Sequence, residues 1–302
     1  MKNTMKKIHA PVLVVLFGAA GTLPAADFTL CAKGVNPADS STYYNIDQGW
    51  NPTCWAASGS NVVAHWQDHH AGMPSKAAPT GTQVYDTFLR VYATQSSGQS
   101  DTLYRWWLGH YSAMAMGGWY PIDNWRELGG YYADRYTESE VDQMAWRYNT
   151  HNLGNLNYTT DISRAVYYAL NQGYAMTITI PNDRHALTVY GASFDPETEL
   201  ITSLWLCDSS GSSFEDAFDK MLRVRVAQRG ENLCLLGPYR EGIFYEKYDT
   251  KKYLGDVAFL GNMRSDTLAF ISSGIAIPEP SAFGLLAGAG ALALVASRRR
   301  RR

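Results

Sequence analysis

The hydrophobic positions in the first half of the chain follow a helical period. After Cys54, apolar or small residues recur every three or four positions: Trp55, Gly59, Val62, Val63 and Trp66. This spacing places them on one face of a helix. The same period predicts helices over 84–92, over 161–171 and after the capping-box sequence 137–140, where it runs through Val141, Met144, Ala145 and Tyr148. The stretch 96–132 is rich in Trp, Tyr and Gly and fits no single period.

The second half changes to short apolar and β-branched runs, which are typical of strands. The clearest runs cover 174–180, 185–194 and 200–207, and the turn-forming sequence Asp195-Pro196-Glu197-Thr198 separates the last two. Shorter strands are predicted at 222–226, 242–248 and 267–271. Helices followed by antiparallel strands, with no repeat or low-complexity linker, predict one α+β domain over residues 27–277.

The first 26 residues have the parts of a secretory signal peptide. Lys2, Lys6 and Lys7 form a basic start, residues 11–20 are apolar, and small residues stand at Ala25 and Ala26. The apolar run is too short to span a bilayer. A buried N-terminal helix is the alternative.

The C-terminal segment, residues 278–302, has three successive parts. Pro278-Glu279-Pro280 precedes the uncharged stretch 281–297, which is followed by the basic run 298–302. As a helix, the uncharged stretch would be about 25 Å long, marginal for a membrane span. This order resembles the PEP-CTERM sorting signal of Gram-negative bacteria. The resemblance implies an exosortase-type processing partner, membrane contact before processing, and export to the cell surface or extracellular matrix. An ordinary membrane anchor is the alternative.

Charge narrows the classes of partner. Three lysines lie in the leader and five arginines in the tail, which leaves 18 of the 26 basic residues for residues 27–277, against 27 of the 28 acidic ones. The formal charge of this body is therefore about −9. A phosphate backbone is bound through basic surfaces, so nucleic acid is excluded as a predicted partner.

The sequence from Gln48 to Ser58 has the features of a thiol active site. Cys54 stands where a loop gives way to the first predicted helix, and the positive end of a helix dipole favours a thiolate. Gln48, six residues upstream, offers an amide that could donate a hydrogen bond to an oxyanion. Cys54 is therefore a candidate nucleophile and Gln48 a candidate oxyanion donor.

A base and its orienting group are predicted on neighbouring strands. His185 opens the strand 185–194, and Asp208 follows directly after the strand 200–207. In an antiparallel pair, the end of the second strand lies beside the start of the first. Asp208 could then orient the His185 imidazole toward Cys54, as in a catalytic triad.

These residues carry a resemblance to known peptidases. The run 48–58 resembles the active-site segment of papain-like cysteine peptidases. The blocks His185–Ala192 and Leu204–Ser209 are similar to the IdeS/Mac family of immunoglobulin-degrading endopeptidases, which have a papain-like fold. The resemblance implies Cys54 as nucleophile, His185 as general base and acid, Asp208 as orienting residue, and a protein or peptide substrate.

Two positions depart from that family. A lysine stands ten residues before the family's cysteine, and here that position is Tyr44. The family also has a second aspartate two residues after the first, where this chain has Ser210. Gln48 could replace the lysine as the oxyanion donor. The departures weaken any claim of a shared substrate, immunoglobulin included.

The remaining histidines and cysteines predict neither a metal site nor a cofactor. His65 and His69 have metal-ligand spacing on one helix face, but Trp66 stands where the zincin pattern needs glutamate. Packing histidines are the preferred interpretation. If Cys54 is a nucleophile, one disulfide could form among the other three cysteines, and Cys31 with Cys234 is the predicted pair.

Three functions fit these observations. The first is an exported, surface-sorted cysteine endopeptidase that acts through an acyl-enzyme. The second is another thiol acyl transfer, such as an amidase or transglutaminase-like reaction, which the same triad would serve. The third is a non-catalytic surface-binding module on the same scaffold.

Overall fold

The computed structural model describes residues 26–49, 52–71, 81–92, 100–110, 132, 135–148, 158–180, 185–209, 221–230, 232–240, 243–244 and 254–261. The helices within these ranges are α1 (Cys54–His69), α2 (Gly81–Tyr92), α3 (Ser100–Trp107), α4 (Glu138–Met144) and α5 (Tyr158–Asn171). The strands are β1 (Phe28–Cys31), β2 (Ala145–Tyr148), β3 (Met176–Ile180), β4 (His185–Phe194), β5 (Ile201–Cys207), β6 (Leu222–Arg229), β7 (Asn232–Arg240), β8 (Ile243–Phe244) and β9 (Val257–Leu260).

The strands form one antiparallel sheet in the order β2-β9-β3-β4-β5-β6-β7-β8. Strand β4 is its central member. Along one edge β4 pairs first with β3 and then with β1, and along the other edge it pairs with β5. All of its residues after His185 are buried, as expected for a strand covered on both faces. The α+β class predicted from the sequence is confirmed.

Helix α1 lies in the interior of the molecule. Every residue from Cys54 to Gln67 is buried, and the helix packs against α2, α3 and β4. Asn61 fixes its position against the sheet, because its amide nitrogen donates to Thr188 Oγ1 on β4 at 3.0 Å. Its amide oxygen accepts from the backbone N–H of Ile46 at 3.2 Å. One buried side chain therefore joins helix, sheet and the segment that leads to Gln48.

Helix α4 begins where the sequence predicts and ends earlier. Thr137 and Glu140 form the predicted capping box, in which each side chain accepts a hydrogen bond from the other residue's backbone N–H. The prediction that the helix continues through Ala145 and Tyr148 is wrong, because these residues form β2 and pair with β9. Trp146 packs on Phe259 of β9, with ring centroids 4.8 Å apart. Tertiary pairing overrides a helical period in this short run.

The other predicted elements agree with the structure to different extents. Strand β4 has the predicted bounds, and α1, α2, α5, β3, β5 and β6 overlap their predictions. In the predicted strand 242–248, the described part is β8. The predicted strand 267–271, the leader and the C-terminal segment lie outside the described residues. Strands β1, β7 and β9 are not among the predicted strands.

No disulfide joins the four cysteines, all of which are among the described residues. The predicted pair Cys31–Cys234 is therefore wrong. Cys31 is on β1 and Cys234 on β7, and the strands β4, β5 and β6 lie between them in the sheet order. A disulfide needs Cα atoms within about 7 Å, and neighbouring strands alone are about 4.8 Å apart.

Candidate thiol site at the start of helix α1

Cys54 is the first residue of α1 and is buried, with 7% of its surface exposed. The preceding Thr53 makes no side-chain cap to the helix. Its hydroxyl instead forms a hydrogen bond with Tyr85 OH on α2, at 2.7 Å. The first backbone N–H groups of a helix have no intrahelical acceptor, so partial positive charge collects at Cys54. The side chain of Cys54 therefore stands at an electropositive position.

His185 and Asp208 meet at one end of the central strand pair. Thr188 on β4 lies opposite Cys207 on β5, so Asp208 follows on toward the start of β4. Residues at diagonal positions on adjacent strands project from the same face. His185 Nε2 lies 2.7 Å from Asp208 Oδ1, and the two side chains are 16% and 3% exposed.

The His185 imidazole also forms a hydrogen bond with the Cys54 side chain. Because Nε2 faces Asp208, the ring nitrogen available to Cys54 is Nδ1. Burial lowers the pKa of His185, but the hydrogen bonds to Asp208 and Cys54 and the charges of both groups outweigh burial and raise the pKa to about 10. At neutral pH the ring is therefore a cation, and it lies between the Asp208 carboxylate and the Cys54 side chain.

Gln48 is held against the residue that follows Asp208. Its backbone N–H donates to the Ser209 carbonyl at 3.0 Å, and Ser209 Oγ donates to Gln48 Oε1 at 2.9 Å. The Gln48 side chain is buried, at 8% exposed. Ser209 engages the oxygen end of the amide, which leaves the nitrogen end as a hydrogen-bond donor. All four residues that the sequence singled out are thus connected through neighbouring contacts.

Tyr44, which occupies the position of the family's lysine, is directed elsewhere. Its hydroxyl donates to Asp68 Oδ2 at 2.5 Å, and burial together with Asp68 raises its pKa. Its backbone N–H and carbonyl both bond to Tyr190 OH, at 3.2 and 2.8 Å. Tyr44 is therefore a structural link between the segment before Gln48 and strand β4. Ser210, the other departure, lies outside the described residues.

Sequence reasoning missed the residues that support the site. Asn61, Thr53 and Tyr85 hold α1, and Ser209 holds Gln48. One available signal was Asn61, a polar residue between the apolar positions of the predicted helix. A buried polar group needs a partner, so such a residue indicates a tertiary hydrogen bond without identifying its acceptor.

The histidines at the other end of α1 are packing residues. His65 Nε2 lies 3.0 Å from the Lys33 carbonyl oxygen, and His70 Nε2 lies 2.9 Å from that of Gly173. The rings of His65 and His69 are in contact, with centroids 4.6 Å apart. Among the described residues, no group of three His, Cys, Asp or Glu side chains is arranged to hold a metal ion. The contacts agree with the packing interpretation.

Acid is expected to destabilise the fold through His65. Its ring is 1% exposed, and burial, together with the nearby His69, His70 and Lys33 charges, lowers its pKa from 6.5 to about 3 despite the Lys33 carbonyl bond. The unfolded chain therefore binds one more proton between these values, and the stability present above pH 6.5 is lost as the pH falls. At pH 5 the loss is about 2 kcal/mol.

Urea unfolding at pH 5 and pH 7.5 measures this difference in free energy. In His65→Gln, which can still donate to the Lys33 carbonyl, we expect a smaller difference between the two pH values. His110→Gln removes a histidine from another part of the molecule and is the control. An unchanged pH difference in His65→Gln would contradict the assignment.

Comparison with known proteins identifies the C-terminal segment of the chain. Residues 276–301 match the family model of the PEP-CTERM protein-sorting motif. The C-terminal segment is a sorting signal. It implies export and sorting to the cell surface of Gram-negative bacteria, and it makes an exosortase-type enzyme a plausible partner. No curated protein matches the sequence significantly. Within the described residues, no helix is both long and apolar enough to cross a membrane.

Proposed function

We propose that this protein is a surface-sorted cysteine endopeptidase of the papain-like class, resembling the IdeS/Mac family, with Cys54 as nucleophile. The observation that carries the proposal is the position of His185, whose imidazole bonds the Asp208 carboxylate on one side and the thiol at the start of α1 on the other. A nucleophile, a base and an orienting acid in contact are what acyl transfer by a thiol requires.

The proposed reaction uses each group in a separate role. In the reactive state the proton of the Cys54 thiol is already held on His185, and the thiolate attacks the carbonyl carbon of a peptide bond. His185 then gives this proton to the leaving amine as the C–N bond breaks, which leaves a thioester on Cys54. His185 next takes a proton from water, and the hydroxide releases the acyl group. Asp208 keeps the imidazole oriented in both halves.

The oxyanion is assigned to two donors. The backbone N–H of Cys54 lies at the positive end of α1, and the Gln48 amide nitrogen is the end not engaged by Ser209. Donors fixed before the reaction stabilise the charge that develops on the carbonyl oxygen.

Digestion of a peptide library by the full chain tests the proposal, with products identified by mass spectrometry. Peptides cleaved at internal bonds support an endopeptidase. Ammonia release from side-chain amides, or crosslinked peptides, would indicate another thiol acyl transfer. No reaction with any peptide or thiol-directed probe between about pH 5 and pH 9 would favour a binding module and overturn the enzymatic proposal.

Gln48→Ala is expected to lower kcat by about 10²-fold, because one oxyanion donor is lost. Alkylation of Cys54 by iodoacetamide forms no oxyanion, so its rate should change little. Comparing the two rates separates oxyanion binding from general damage to the site. Ser41→Ala, an exposed substitution in the short 3₁₀ helix Ser40–Thr42, is the control. Equal loss of alkylation and turnover in Gln48→Ala would contradict the assigned role.

A further inference from the structure

A cavity of about 710 Å³ lies between the segment that leads to Gln48 and the start of helix α2. We call it the α2 groove. The residues that define its character are two aspartates and three tyrosines: Tyr43, Tyr44, Asp47, Tyr85 and Asp86. None of the described residues that line it is basic. Asp47 and Asp86 are both exposed, so a ligand in the groove can reach their carboxylates.

Two residues that line the α2 groove are next to residues of the thiol site. Tyr85 lines the groove and bonds Thr53, the residue directly before Cys54. Asp47 lines the same groove and directly precedes Gln48. On one wall, Tyr85 is joined to the proposed nucleophile through Thr53. On the other wall, Asp47 is the chain neighbour of the proposed oxyanion donor, Gln48.

The charges that act on the Tyr85 hydroxyl come from both the groove and the thiol site. Burial raises the pKa of Tyr85, the Thr53 hydrogen bond opposes this, and the charges of Asp47, Asp86 and Cys54 raise it further. Both aspartates and the thiol are therefore close enough to one hydroxyl to influence its ionisation. A cation in the groove would neutralise two carboxylates without disturbing any described basic partner.

We propose that the α2 groove binds a lysine or arginine side chain of the peptide substrate, within a few residues of the bond that is cleaved. This inference rests on the proposed peptidase function and specifies its substrate class. Asp47 and Asp86 supply the charge for the ammonium or guanidinium group. The tyrosine rings supply aromatic surface, on which a cation and its hydrocarbon stem both pack favourably.

The two carboxylates differ in how safely they can be replaced. Asp47 Oδ1 accepts the backbone N–H of Gly49 at 2.7 Å, and Gly49 has a φ of +61°. Asn keeps this acceptor, so Asp47→Asn removes the charge and preserves the turn beside Gln48. Asp86 is exposed on α2, so it tolerates both neutralisation to Asn and reversal to Lys.

The test uses matched peptides around a cleaved bond, identical except for one residue that is arginine, its neutral analogue citrulline, or glutamate. We expect kcat/KM to be higher for the arginine peptide. Each of Asp47→Asn and Asp86→Asn should reduce the arginine-to-citrulline ratio about two- to fivefold, as for exposed charge pairs. In Asp86→Lys, the glutamate peptide should be a better substrate than the arginine peptide.

Glu197→Gln is the matched control, because Glu197 is an exposed carboxylate in the β4–β5 turn, at the far end of β4 from His185. Its arginine-to-citrulline ratio should equal that of the wild type. A distortion of the site would lower both rates and leave the ratio unchanged. Cleavage with no preference for basic residues, or a preference that survives both substitutions, would overturn the groove assignment while the peptidase proposal stands.

Binding separates the two proposals further. The full chain with Cys54→Ala should bind the arginine peptide more tightly than the citrulline peptide in calorimetric titration, and Asp86→Asn in that background should reduce the difference. If the wild type cleaves nothing but this difference is found, cation binding by the groove is supported and the peptidase proposal fails. Equal binding of both peptides would overturn the groove assignment independently of turnover.

Discussion

Replacing Cys54 with alanine is expected to abolish peptide cleavage, with kcat lowered by at least about 10⁴-fold. The reason is that no other described group lies at the end of α1 in contact with His185 to form the acyl-enzyme. Removing the nucleophile of an acyl-transfer triad leaves only the small effect of binding and oxyanion stabilisation. Turnover of a library-derived peptide and covalent labelling by an iodoacetamide reagent or E-64 measure the loss.

The control for this prediction is Cys31→Ala. Cys31 is half-buried on β1, and burial raises the pKa of its thiol, so it should react slowly with alkylating reagents at neutral pH. This variant should therefore keep both cleavage and rapid labelling. Proteolysis that persists in Cys54→Ala, or rapid labelling that depends on Cys31, would end the assignment of Cys54 as nucleophile.

Replacing Asp208 with asparagine is expected to lower kcat by about 10² to 10⁴-fold while leaving KM nearly unchanged. Asn has the same size and can occupy the same buried position, but it lacks the charge that stabilises the imidazolium and can hold the ring in the wrong tautomer. Asp208 contacts His185 and not the substrate, so binding should survive. The ratio of kcat to KM effects distinguishes this positioning role from a general loss of structure.

The same substitution is expected to move the titration of His185. In the wild type its pKa is raised to about 10, so the stability from the protonated ring is complete below pH 6.5 and is lost as the pH rises through about 10. In Asp208→Asn this pKa should fall, and the loss of stability should begin at lower pH. NMR titration of the His185 ring measures the shift directly.

Asp195→Asn serves as the control for both measurements. Asp195 begins the turn at the opposite end of the β4–β5 pair, and Asn preserves the acceptor that bonds the N–H groups of Glu197 and Thr198. Its kcat and the His185 titration should match the wild type. A His185 pKa that does not change in Asp208→Asn would show that the 2.7 Å contact has no electrostatic consequence, which contradicts the proposed triad.

The negative charge of the body suits the proposed class of basic peptide substrates. The body carries a formal charge of about −9, which includes the two exposed carboxylates of the α2 groove. Under the proposed function, this charge attracts a peptide with basic residues toward the groove, since charge of one sign around a cleft steers oppositely charged ligands toward it. Raising the ionic strength should therefore reduce kcat/KM for arginine peptides more than for citrulline peptides.

Local patterns identified the elements that depend mainly on neighbouring residues. The apolar period after Cys54 is continuous, and the run His185–Phe194 is β-branched, aromatic and bounded by turn residues, so α1 and β4 lie where the sequence predicts. The capping box at Thr137 and Glu140 is also a local motif. Ala145–Tyr148 could not be predicted in this way, because four residues fit either period and their partner, β9, lies more than a hundred residues away.

The sequence by itself determined the chemistry available to this protein: a cysteine at a helix start, a histidine opening one strand, an aspartate ending the next, and a C-terminal sorting signal. Those features are local, since each depends on a residue type and its immediate neighbours. Only the tertiary structure decided that His185 lies 2.7 Å from Asp208 and that Ser209 holds Gln48. It alone placed Asp47, Tyr85 and Asp86 around one groove. Contacts between distant segments depend on packing and strand register, which no local pattern encodes.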